Sequence, residues 1–183
     1  MARVYIFLAN GFEEIEGLTV VDLLRRANVD IEMVSTEESI EVTGRSNITV
    51  KADCLFKDAK IDEAEMLVLP GGMPGTINLL HHVGLVAKIK EFHRAGKKLA
   101  AICAAPSVLG ACGVLTGKNA CCYPGFEEKL LGATIQKDPV VLDGNVITSR
   151  GMGVANDFAL KIIEALTDTK TAEQIKADVL YEN

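Results

Sequence analysis

The hydrophobic pattern along the chain alternates between two kinds of segment. Short, near-continuous apolar runs occur at Val4 to Ala9, Ile31 to Ser35, Met66 to Leu69 and Lys98 to Ile102. Runs of this length with little polar alternation predict strands covered on both faces. Between and after them, apolar positions fall at helical spacing over roughly 13–27, 85–95, 103–115, 155–166 and 171–180. The stripe Ala155, Phe158, Ala159, Ile162, Ile163 and Leu166 is the cleanest of these. Strand runs alternating with helical patterns predict βαβ units and a mainly parallel sheet between helices. Two stretches break the rhythm. Residues 40–50 alternate around Gly44-Arg45-Ser46 and predict a small hairpin excursion, and 140–149 split at Asp143-Gly144 into a second hairpin. No repeat or long linker divides the chain, so one doubly wound α/β domain over residues 1–183 is expected.

The helix expected at 13–27 is apolar on more than one side, through Ile15, Leu18, Val20, Val21, Leu23 and Leu24. Such a helix needs cover beyond its own sheet, which points to a subunit contact.

Composition removes several function classes. The net charge is −6 and no basic run is present, which argues against nucleic acid or an anionic membrane as partner. No apolar stretch reaches the length of about 18–20 residues that a membrane span needs. The apolar run at the start passes directly into Asn10-Gly11-Phe12 and acids, so it reads as a core strand rather than a signal peptide. Five cysteines, an odd number without a CxxC pair, argue against a disulfide framework and for a reducing cytoplasm. Three histidines with no HExxH motif or Cys/His ladder give no metal site, and no cofactor is expected.

In an open parallel sheet, ligands bind beyond the carboxyl ends of the strands, where strand order reverses. The segments 10–16, 70–75 and 103–106 fall there. Cys103 stands where a buried strand passes into a helix without an intervening loop, an arrangement that exposes a nucleophile and aims helix N–H groups at it. The helix start is expected to favour thiolate. The ordinary alternative is an inert buried cysteine. Glu13, Glu14 and Glu16 crowd the first helix start, where dipole complementation alone would explain them. Glu13 and Glu16 share a face by i, i+3 spacing while Glu14 points elsewhere. A carboxyl facing the crevice beside a thiolate would keep its proton and act as a proton shuttle, the role assigned to Glu16. Gly71 and Gly72 with Ala104 offer backbone N–H groups for an oxyanion hole, although any Pro-Gly-Gly is also a turn. Gly151 to Asn156 lacks the third glycine of a dinucleotide fingerprint, and Gly113 to Asn119 is too short for a P-loop. Cys112, Cys121 and Cys122 are read as packing residues.

Four motifs, Phe12-Glu-Glu-Ile-Glu16, Leu69-Pro-Gly-Gly72, Ala101-Ile-Cys-Ala-Ala-Pro106 and Thr148-Ser-Arg-Gly-Met-Gly153, resemble the ThiJ/PfpI superfamily. Within it they are most similar to the branch of the Parkinson-disease protein deglycase and its bacterial relatives. The resemblance implies a flavodoxin-like fold and a homodimer, which fits the over-apolar first helix. By position it makes Cys103 the reactive cysteine, Glu16 the carboxyl beside it, and Gly72 and Ala104 the backbone donors. Glu13, Arg26 and Arg45 align with residues that order the site and its dimer edge. Tyr123 stands, before Pro124, where many members place a histidine, and a phenol is a poor base at neutral pH. Ala104 replaces the histidine of the protease branch, which argues against peptidase activity, and Met152 replaces a more usual proline.

The resulting expectation is a cofactor-independent cysteine enzyme. It would act on reactive α-oxoaldehydes such as methylglyoxal, or on their early glycation adducts, and release a 2-hydroxy acid. The competing expectation is a non-enzymatic oxidative-stress sensor or chaperone that works by oxidation of Cys103. A nucleotide binder is disfavoured by the acidic first turn.

Overall fold

The computed structural model describes residues 3–181. Its centre is a seven-stranded sheet with one antiparallel edge strand. Five strands line up in parallel beside one another: β5 (Cys54–Leu55), β2 (Asp30–Ser35), β1 (Arg3–Leu8), β6 (Met66–Leu69) and β7 (Lys98–Ile102). Beyond β7 lies the parallel strand β11 (Val146–Ser149), and β10 (Val140–Asp143) closes that edge antiparallel to it. The hairpin expected at Asp143-Gly144 is therefore present, with Gly144 at a φ of +62° in its turn. The expected excursion is also present, as β3 (Glu41–Thr43) paired antiparallel with β4 (Thr49–Lys51). A separate two-residue pair, β8 (Asn119–Ala120) with β9 (Thr134–Ile135), carried no periodic signal because it is too short to have one.

The period-two geometry of the strands divides the core into two layers. Val4, Ile6 and Leu8 of β1 point to the same side as Val68, Ala100 and Ile102. That side is covered by α1 (Glu14–Arg26), α5 (Ala155–Leu166) and α6 (Thr169–Asp178). Tyr5, Phe7 and Ala9 point to the other side with Leu67, Leu69, Leu99 and Ala101. There α2 (Gly75–His81), α3 (Val83–Arg94) and α4 (Pro106–Ala111) cover them. A strand buried on both faces has no polar position to alternate, which is why these segments read as unbroken apolar runs.

In three places the structure goes beyond the sequence reading. The extra apolar side of α1 finds cover within the chain, since Val20, Leu23 and Leu24 share one core with Phe158, Ala159, Ile162 and Ile163 of α5. Only Ile15 of that set stays strongly exposed, at 51%. The helix after Cys103 ends at Ala111 instead of running to 115, because Gly113 adopts a φ of +77° and turns Val114 and Leu115 into the core. Helix α2 was not legible at all: at seven residues it buries Leu79 fully and leaves Ile77 out, so no stripe forms.

The chain passes from β1 outward through β2 to β5, then returns to the other side of β1 as β6. Strand order therefore reverses between β1 and β6. Their carboxyl ends, with that of β7 alongside, form the crevice in which an open α/β sheet binds ligands.

Candidate active site

Cys103 follows β7 with a φ of +65°, a left-handed conformation that costs a residue with a Cβ about 1–3 kcal/mol. The turn is pinned on both sides. Its N–H donates to the Ser149 carbonyl at 2.9 Å, and its carbonyl accepts the Tyr123 N–H at 2.8 Å. The strained turn lifts the side chain out of the sheet, leaving Cys103 half-buried in the crevice. Its sulfur faces the backbone N–H groups of Gly72 and Ala104, both of which favour the thiolate. Gly72 and Ala104 thus occupy the donor positions expected of them. Helix α4 contributes less than expected, because it begins only at Pro106 and has six residues.

Glu16 lies in the first turn of α1 with 1% of its surface exposed. Its Oε2 accepts the Gly71 N–H at 2.9 Å, and its carboxyl is hydrogen-bonded to Cys103. Gly71 is the hinge of this contact. A Cβ there would lie 2.6 Å from Cys103 Cβ and 2.7 Å from Glu16 Oε2, so only glycine lets the two side chains meet. The Gly71 N–H is therefore spent on the carboxylate, which leaves that of Gly72 to join the Ala104 N–H at the sulfur.

Burial, opposed by the hydrogen bonds from Cys103 and Gly71, pushes the Glu16 carboxyl up to about 7. Burial, then the nearby Glu16 charge, pushes the Cys103 thiol up to about 12. This corrects the expectation of a thiol made acidic by a helix start. Two anions cannot share so dry a site, so the pair behaves as one titrating unit. The carboxyl, raised to about 7, gives up its proton well before the thiol, raised to about 12. Between those values one negative charge and one proton are shared by sulfur and carboxyl.

The remaining acids of the first turn serve the hairpin. Arg45 Nη1 donates to Glu13 Oε2 at 3.2 Å, which brings Glu13 and Arg45 together beside Glu16. Both act on it electrostatically, Glu13 raising and Arg45 lowering its proton affinity. Glu14, which the spacing directed elsewhere, is buried under the hairpin turn and accepts the N–H groups of Ser46 at 2.8 Å and Ile48 at 3.4 Å. A side chain at Gly44 would run into that carboxyl. No sequence spacing signals this contact, since 32 residues separate Ser46 from Glu14.

Arg26 stands apart from this group within the chain. It lies at the far end of α1, ten residues beyond Glu16 or about 15 Å along the helix, where its Nε donates to Asp22 at 2.8 Å. It takes no part in the site of this chain. Tyr123 does approach it: its ring packs on Gly151, where a Cβ would be 3.3 Å from Tyr123 Cδ2 and 3.9 Å from Glu16 Oε1. The phenol is not what holds Cys103, because the contact made is the Tyr123 backbone N–H. Gly151 belongs to the fourth sequence motif, and its role as the spacer between ring and carboxyl appears only in three dimensions. Cys112, Cys121 and Cys122 are buried free thiols, as the packing reading had them. Among the described residues, no three His, Cys, Asp or Glu side chains form a group that could hold a metal ion. No helix among them is long and apolar enough to cross a membrane.

Residues 2–165 match the DJ-1/PfpI family. Protein DJ-1 homolog B of Arabidopsis thaliana is 34% identical over 97% of the chain, which spans only 41% of that longer protein. Protein dj-1beta of Drosophila melanogaster is 34% identical, with 96% of this chain and 95% of the fly protein covered. A Pyrococcus abyssi protein named as a deglycase is 32% identical over 82% of the chain and 91% of its own length. Among solved structures, oxidised Toxoplasma gondii DJ-1 superposes with a TM-score of 0.96 at 34% identity, covering all of both chains.

Proposed function

The chain belongs to the DJ-1/PfpI family, and from that premise we propose that it is a cofactor-independent cysteine enzyme acting on reactive α-oxoaldehydes or their early glycation adducts. The observation that carries the reading is the Cys103–Glu16 pair, one strained thiol and one buried carboxyl around a single proton. The deglycase name of the Pyrococcus relative supports the same chemistry.

In this reading the shared proton passes to Glu16 as Cys103 Sγ bonds to the aldehyde carbon, giving a hemithioacetal. The Gly72 and Ala104 N–H groups stabilise the oxygen on which charge develops. Glu16 passes that proton on to this oxygen, completing the hemithioacetal. The freed carboxylate then takes the hydrogen of the sulfur-bearing carbon as a proton and returns it to the adjacent carbon, while the hydroxyl proton moves to the neighbouring oxygen, giving a thioester of a 2-hydroxy acid. Water cleaves the C–S bond and restores the thiol. The net change is addition of one water to methylglyoxal to give lactate, with no external oxidant or reductant. Glu16 is suited to both transfers because its proton affinity lies near neutral pH.

The test is lactate formation from methylglyoxal, without glutathione or amine buffer, by wild type, Cys103→Ser and Glu16→Ala. Turnover lost in both variants is expected. Turnover in either variant at the wild-type rate, or none in wild type on methylglyoxal or on glycated cysteine and lysine adducts, overturns the enzyme reading.

The oxidised state of the Toxoplasma relative favours a second reading, in which Cys103 is an oxidation sensor. Peroxide would transfer one oxygen to the sulfur, releasing water and leaving a sulfenic acid to which Glu16 hydrogen-bonds. Stoichiometric oxidation of Cys103 without turnover would identify that function. In either reading the chain would work as a cytoplasmic homodimer through the start of α1, where Ile15 and Ile48 stand 51% and 54% exposed.

A further inference from the structure

We propose that the cavity between α2, α4 and the 126–131 segment is a binding site for a small neutral compound with a single ring and one hydrogen-bonding oxygen, separate from the Cys103 sulfur. The cavity holds about 280 Å³, and its walls are mainly apolar: Met73, Ile77, Leu80, Phe126 and Leu131. A cavity of about 150 Å³ is enough for benzene, so this one accommodates a ring with a short substituent.

Its polarity selects the ligand further. Thr76 lines the cavity, is only 3% exposed, and its Oγ1 has no hydrogen-bond partner among the described residues. A hydroxyl withdrawn from water and left unpaired is an anomaly that a ligand oxygen removes. The neighbouring Ser107 hydroxyl does not share this property, since it donates to the Ala104 carbonyl at 2.6 Å. At the rim, Glu128 and Lys129 carry opposite charges, and the Lys129 ammonium lies 4.9 Å from the centre of the Phe126 ring. The rim therefore offers no net charge to an ionic ligand. Met73 and Ile77, each 40% exposed, and Leu131, 58% exposed, give the opening an apolar edge that a bound ring would cover.

The other surface hollows lack this combination. The one between α5 and α6 is lined by charged residues and offers no unpaired buried group among those described. The cavity also sits directly behind the reactive cysteine. The Thr76 N–H donates to the Gly72 carbonyl at 2.9 Å and the Ser107 N–H to the Ala104 carbonyl at 3.1 Å. A ligand there touches Thr76 and Ser107, which are hydrogen-bonded to the two residues whose N–H groups face the sulfur, yet its binding needs neither turnover nor Cys103.

The test is an amide NMR titration of the full chain with acetophenone and with α-methylstyrene, a near-isostere in which the carbonyl oxygen is replaced by a methylene. Saturable shifts centred on residues 76–80 and 107–111 are expected, with acetophenone bound about fivefold more tightly, the value of one hydrogen bond. Thr76→Val should erase the difference between the probes. Ala111→Phe, at an exposed position on the cavity wall, should weaken both by at least about tenfold. Shifts absent or scattered over the surface, equal affinities in wild type, or undiminished binding in Ala111→Phe would overturn the proposal.

Discussion

Replacing Glu16 by glutamine should make the protein more stable at neutral and basic pH, and the gain can be worked from the site. The Glu16 carboxyl has a proton affinity near 4.5 when unfolded and about 7 when folded, raised chiefly by burial. Between these values the folded state holds more protons than the unfolded one, so stability falls as pH rises. The contribution is fully present below about 4.5 and is gone above about 7. A difference of about 2.5 units at about 1.4 kcal/mol each corresponds to roughly 3 kcal/mol. Glutamine can still accept the Gly71 N–H and donate to the sulfur, but it has no proton to lose. The measurable quantity is the unfolding free energy of Glu16→Gln minus that of wild type, from urea titrations at several pH values between 4.5 and 8. That difference should climb by about 3 kcal/mol across the range, with most of the rise between pH 5 and 7. The assay should stop near pH 8, since the Cys103 thiol, pushed up to about 12, begins to contribute through its unfolded value of 9.0. A flat difference, or one that falls with pH, would refute the argument, because it would mean that Glu16 is as well solvated in the folded protein as in the unfolded chain.

Two further outcomes follow from the same geometry. Gly71→Ala places a methyl 2.6 Å from Cys103 Cβ and 2.7 Å from Glu16 Oε2, so it should cost about 1–3 kcal/mol in thermal or urea unfolding and about a hundredfold in turnover by separating the pair; wild-type activity in this variant would show that the contact is dispensable. Ile15→Asp combined with Ile48→Asp should convert a dimer to monomer in sedimentation velocity at micromolar concentration, and a monomeric wild type under the same conditions would rule out the interface.

The layers of the fold were legible because they rest on local periodicity. The runs at Val4 to Ala9 and Met66 to Leu69 read as double-faced strands because every position is buried, and the 155–166 stripe because one helix face alone meets the sheet. Cys103 was legible too, since a buried strand passing into a helix with almost no loop puts the first residue after the strand in the turn, although the helix itself starts only at Pro106. Its nearest partners were within reach of spacing and motif: Glu16 from its place in the first helical turn, Gly72 and Ala104 from theirs beside the strand ends. Helix α2 escaped because seven residues with one fully buried leucine make no period. The extra apolar side of α1 was readable as a demand for cover, but not as a demand met by α5, since which helix lies alongside is set by the sheet order. Glu14 under the hairpin and Gly151 between Tyr123 and Glu16 left no trace in spacing, because each contact joins segments far apart in the chain. The proton affinities depended on tertiary structure most of all. A helix start on paper predicts an acidic thiol, but the folded site buries sulfur and carboxyl together, and desolvation outweighs the backbone donors that serve each of them. Local sequence determined which residues could make the strands, the turn and the pair; only the packed structure decided how dry the pair is, and so where its one proton goes.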